Sequence, residues 1–104
     1  MTQNKFTSED VRGVLLAAGY TIAEIVEFMD LVKEWFPAWE AFYKYTEAKR
    51  LKGEKLGGMA IINMLRHYAE LKKLKDFKVN NNWQPKFCAM YNGKTRTQYF
   101  ETRA

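Results

Sequence analysis

Apolar positions recur at helical spacing through most of this chain. Ile22, Ile25, Val26, Met29, Val32 and Phe36 are three or four residues apart, and Glu24, Glu27, Asp30 and Glu34 mark the opposite side. That pattern predicts an amphipathic helix with one buried face. Thr21 and Glu24 supply a T-x-x-E capping box at its start, and Pro37 is expected to end it and to open a third helix. Upstream, Thr7 followed by Ser8, Glu9 and Asp10 reads as a helix start with acids favoured in the first turn. This first helix runs to about Ala18, where Gly19 can take the left-handed cap. The third helix carries Trp39, Phe42, Tyr43, Tyr45 and Ala48 and stops near Gly53. Residues 53–58 are a glycine-rich turn. A fourth helix follows from about Met59 to Lys73, with Ile61, Ile62, Leu65, Tyr68 and Ala69 as its buried face and Arg66, Glu70 and Lys73 as a charged stripe.

The last thirty residues carry two readings. Asn80-Asn81-Asn82 signals a turn or cap, and Trp83-Gln84-Pro85 opens either a helix or a strand. Asn92-Gly93 suits the tip of a β-hairpin or the end of a short helix. Cys88, Ala89 and Met90 are consecutive and apolar, which breaks strand alternation and favours the helix. The expected fold class is therefore all-α: a small domain of four main helices, with a helix-turn-helix-like pair and a short C-terminal helix or β-hairpin. We expect a single domain over 1–104, made of acidic N-terminal helices (1–36) and a basic segment (37–104).

Composition adds a core and a compartment. With 104 residues, 47% of them hydrophobic and 15% aromatic, the chain can bury one modest core built on a few large side chains. There is one cysteine, so the sequence has no internal disulfide. No apolar run reaches membrane-spanning length, and the first ten residues lack a signal-type apolar stretch, so a soluble protein in the cytoplasm of a bacterial host is expected.

Charge is divided unevenly. Residues 1–43 hold three basic and seven acidic side chains, net −4, while residues 44–104 hold fourteen basic and five acidic, net +9. The basic excess gathers at Lys44, Lys49, Arg50, Lys52 and Lys55, which run off the end of the third helix, and at Lys72, Lys73, Lys75 and Lys78 around the end of the fourth. Lys94, Arg96 and Arg103 lie among aromatics in the tail. Helix C-termini favour cations through the dipole, but that accounts for one or two lysines per end. Phosphate is the natural complement of such clusters, because each cation placed against nucleic acid releases condensed counterions. The expected binding residues are Lys49, Arg50, Lys52, Lys55, Arg66, Lys72, Lys73, Lys75 and Arg96, with DNA favoured over RNA. The alternative partner is an acidic host or phage protein, with the chain modulating replication, transcription or defence. A homodimer through the apolar residues of the acidic N-terminal hairpin is a further expectation.

Candidate chemistry is sparse. His67 is the single histidine and has no ligand-type residue at metal spacing, and Cys88 sits in an apolar run that suits a buried thiol. The glycine turn at 53–58 lacks the strand and the Lys-Ser/Thr pair of a phosphate loop. No enzyme activity, metal or cofactor is expected.

Three C-terminal motifs suggest an origin. Ile61 to His67, then Asp76-Phe77-Lys78-Val79-Asn80-Asn81-Asn82-Trp83-Gln84-Pro85, then Phe100-Glu101-Thr102-Arg103 together resemble an uncharacterised family of small phage and prophage proteins. That family has an F-K-[IV]-N-N segment, a proline-led aromatic helix and a closing F-E-x-R. The resemblance spans about residues 35 to 104 and implies a mobile-element origin without enzyme activity. It carries over Arg66, Asn81, Asn82, Pro85, Glu101 and Arg103, for which the structural reading is favoured, with the asparagines satisfying backbone groups at the turn and Arg103 paired with Glu101 or Glu70. The chain departs from the family at Cys88-Ala89, where a tyrosine-alanine-arginine step is expected, and in the short Asn92-Gly93-Lys94-Thr95 stretch.

Overall fold

In a computed structural model of the chain, residues 7–73 and 79–100 are described, and they form five α-helices with no strand among them. They are α1 (Ser8–Ala17), α2 (Ile22–Asp30), α3 (Val32–Leu51), α4 (Gly58–Lys72) and α5 (Gln84–Thr95), with a 3₁₀ turn at Asn81–Trp83 leading into α5. Both expected capping motifs are present. Thr7 caps α1 with Asp10 reaching back, and Thr21 caps α2 with Glu24 reaching back at 2.9 Å. Gly19 takes φ +95° between the two helices, as a left-handed cap requires.

The α2–α3 boundary corrects the sequence reading. The helix ends at Asp30, and Pro37 lies inside α3 instead of opening it. The reason is a stronger competitor six residues earlier. At Leu31 the chain turns so that the Trp35 ring stacks on Phe28, with centroids 4.3 Å apart and planes within 7°. The Trp35 indole N–H then donates to the Phe28 carbonyl at 2.7 Å, an acceptor that a continuous helix would have used for itself. Pro37 and Lys33, whose carbonyl loses its helical donor to the proline, are both exposed, so water can satisfy that carbonyl.

Helix α5 is the centre of the molecule. Phe87, Cys88, Ala89, Met90, Tyr91 and Asn92 are all buried, so the helix is enclosed on every side by α1, α3 and α4. The run of apolar residues that spoiled strand alternation is the mark of a helix without a solvent face. Among the described residues the helix reading of this segment holds, and the hairpin alternative is absent. Phe87 is the hub, with ring contacts to Phe28, Trp35, Trp39, Phe42 and Trp83.

Two glycines set how closely the helices approach. Gly93, read from sequence as a hairpin tip or a helix end, is inside α5, and a Cβ there would run into the Val14 side chain of α1. Gly58 opens α4, and a Cβ there would meet Cys88 Sγ and the Gln84 side chain on α5. At the start of α4, Gly58, Ile61 and Ile62 are thus packed inward, while Met59 and Ala60 are exposed. The pair α3–α4 is therefore a helical hairpin resting on α5. The first turn of the second helix exposes Met59 and Ala60, which lack the polar groups that a recognition helix presents there.

The chain after α5 is tied down by buried polar contacts. Asn92 Nδ2 donates to the Phe100 carbonyl at 2.8 Å and Asn92 Oδ1 accepts from the Phe100 N–H at 3.1 Å. The Tyr99 hydroxyl donates to the Glu54 carbonyl at 2.6 Å and accepts from the Leu56 N–H at 3.0 Å, which fixes the α3–α4 turn.

Candidate docking groove and the basic helix ends

The cations expected to bind a partner have separate fates. Arg50 is built into the fold. Its guanidinium donates to Glu47 at 2.8 and 3.0 Å and to the Tyr91 hydroxyl at 2.8 Å, while Tyr91 in turn donates to Glu47. Burial pushes the Tyr91 phenol up, and the Glu47 carboxylate beside it adds to the effect. Burial alone would raise Glu47 as well, but the hydrogen bonds from Tyr91 and Arg50 outweigh it and hold the carboxyl below its usual value. This triangle has the residue types of an acid–base site, yet its polar atoms are directed at one another. Lys49 is also engaged, 3.3 Å from Glu54 and 5.4 Å from the centroid of the Tyr45 ring.

Lys52 and Lys55 are exposed in the turn after α3, with the Lys55 ammonium 5.9 Å from the Tyr99 ring centroid. Lys72 ends α4, and Lys73 caps it in the left-handed conformation at φ 54°; both are exposed. Arg96 caps α5 at φ 56° and is exposed, and Arg66 is half-buried on α4. Lys75 lies outside the described residues, as do Glu101 and Arg103 of the phage-like motif. Of the other motif residues, Pro85 stands in the first turn of α5, and the Asn82 N–H donates to Asn80 Oδ1 at 2.8 Å, a local turn bond.

The structure does not merge the two basic clusters. Lys52 and Lys55 flank the start of α4 and Lys72 and Lys73 its end, so about 21 Å of helix separates them at 1.5 Å per residue. What lies between is apolar. An open groove of about 720 Å³ runs between α3 and α4, lined by Ala41 and Tyr45 from the first and Met64, Tyr68 and Leu71 from the second. Lys44, Asn63 and His67 supply its polar groups. Met64, Tyr68 and Leu71 are 45%, 51% and 68% exposed. The Tyr45 hydroxyl donates to Met64 Sδ at 2.9 Å and joins the two walls.

Sequence periodicity missed this groove because α4 has two apolar stripes. Ile61, Ile62 and Leu65 form the stripe that α5 and α3 cover. Met64, Tyr68 and Leu71, spaced four and three apart, form a second stripe beside it. Tyr68, expected in the buried face, belongs to the exposed stripe. The signal was present in the width of the apolar pattern, which exceeds what a helix covered on one side needs.

Other chemistry is meagre at this surface. Among the described residues, no three His, Cys, Asp or Glu side chains gather where they could hold a metal ion. Cys88 is buried, and burial pushes its thiol up to about 11. No described helix is long and apolar enough to cross a membrane. Comparison with family models, curated proteins and solved structures finds no match.

Proposed function

We propose that this chain is a non-enzymatic protein-binding module. Its α3–α4 groove takes the apolar face of a helical segment on an acidic partner. The observation that carries this reading is the exposed Met64–Tyr68–Leu71 stripe, which lines one continuous groove with Lys44 in it and is followed in sequence by the exposed Lys72. An apolar helical face seated in an apolar groove is a recurrent mode of peptide recognition, with anchors at three- and four-residue spacing.

Magnitudes favour protein over nucleic acid. Fully covering a large apolar side chain contributes about 1.5–3 kcal/mol, so these three partly exposed anchors offer on the order of 3 kcal/mol before association entropy. An exposed ion pair contributes about 0–1 kcal/mol. The cations therefore set orientation and encounter rate, and the groove sets affinity. Nucleic acid draws support from the exposed Lys52, Lys55, Lys72, Lys73 and Arg96. Against it, Lys49 and Arg50 are paired internally and an apolar surface interrupts the track. The mobile-element origin suggested by the C-terminal motif is compatible with either kind of accessory protein.

The test uses a fluorescein-labelled amphipathic helical peptide with leucines at three- and four-residue spacing and glutamates elsewhere. Anisotropy should rise on titration with the protein, and Leu71→Asp should reduce affinity at least about tenfold, the effect of losing 1.4 kcal/mol. A lysine-bearing version of the peptide should bind more weakly. Labelled duplex and single-stranded DNA are titrated in parallel. DNA binding with a steep salt slope, in the absence of peptide binding, overturns the proposal in favour of nucleic acid.

A further inference from the structure

The molecule carries a surface that matches its own groove. On α2, Ile22 and Val26 stand one turn apart and are 71% and 53% exposed. Glu27 and Asp30, also exposed, continue and flank this stripe. It is an acidic, apolar helical face. From Ile22 to Asp30 it is about 12 Å long, the same span as Asn63 to Leu71 along the α4 wall of the groove. Sign is complementary too, with Lys44 in the groove lining and Lys72 next in sequence to the lining Leu71, against Glu27 and Asp30 on the helix side.

We infer that the occupant of the α3–α4 groove is the α2 face of a second copy of this chain. The inference rests on the docking role of the groove and names its partner. The two surfaces come from different helices, so each copy offers one groove and one α2 face and the contact joins unlike patches. Two copies that exchange both contacts about a two-fold axis close a dimer. Copies joined by one contact per pair extend until a ring forms or the chain of copies ends, and in both arrangements the associated population rises with concentration. The division of charge along the sequence then has a use. The acidic first part of one copy meets the basic later part of the next, and like-sign approaches in the other orientations are disfavoured.

The test is complementation between two blocked variants of the full chain, followed by sedimentation over a range of concentrations. Leu71→Asp blocks the groove and leaves α2 intact; Val26→Lys blocks α2 and leaves the groove intact. Both sites are exposed, and circular dichroism of each variant, compared with the wild type, serves as the check on folding. The wild type should show an average mass that climbs with concentration and falls with added salt. Each variant alone should stay monomeric. Mixed in equal amounts, they should form a dimer and nothing larger, because only one groove–face contact is available. Wild-type association with a mixture that remains monomeric overturns the groove-to-α2 contact, as does association that persists in Leu71→Asp. A wild type monomeric at its highest soluble concentration that still binds the acidic peptide overturns the second copy as occupant and leaves the docking role standing. Loss of both peptide binding and self-association removes both.

Discussion

At the residue scale, the most consequential side chain is Arg50, because it converts an expected binding cation into a structural one. Glu47 accepts from both Arg50 and Tyr91, and its carboxyl is held below the ordinary value of 4.5. A depressed carboxyl pKa contributes stability that is present above the unfolded value and is lost as pH falls through the folded one. Urea midpoints measured from about pH 5 down to about pH 3 should therefore fall more steeply for the wild type than for Glu47→Gln. Tyr91→Phe removes the hydroxyl that links the two charged groups. It should cost about 2 kcal/mol in urea unfolding at neutral pH, in the range for hydrogen bonds to charged partners. Cys88 gives an independent check on burial. Its thiol is enclosed and shifted up to about 11, so a thiol reagent should react only as fast as the molecule opens.

At the element scale, Pro37 and Gly93 show what governs the helices. Pro37 sits on the exposed side of α3, where a proline costs up to about 3 kcal/mol relative to alanine. Pro37→Ala should raise stability by about 1–3 kcal/mol in urea unfolding; a helix that began at this residue would show no gain. Gly93→Ala drives a methyl into Val14 and should lower stability by about 1–3 kcal/mol, with Val14→Ala restoring part of the loss. The caps at Thr7 and Thr21 and the left-handed Gly19 were legible in the sequence because they are local: the residue and its partner are three apart. The break at Leu31 was not. It depends on a ring stack and an indole bond between Phe28 and Trp35, which no propensity records. The enclosure of α5 was half legible. Consecutive apolar residues excluded a half-buried strand, but only the assembled fold shows α1, α3 and α4 around it.

At the scale of the whole molecule, the division of charge along the sequence survives, and the part of the basic half that can meet a partner is narrower. Pairing to Glu54 and Glu47 occupies Lys49 and Arg50, and the length of α4 keeps the remaining clusters apart. The apolar stripe between them was invisible as a site because each of its residues passes singly for core. The central claim is that this stripe is a docking surface for an acidic helical face. The most direct measurement is the anisotropy titration of the acidic amphipathic peptide against wild type and Leu71→Asp, with duplex DNA alongside at low salt. The account predicts saturable peptide binding, at least about tenfold weaker in Leu71→Asp. Peptide affinity that is the same in both proteins, or absent beside strongly salt-dependent DNA binding, would contradict it.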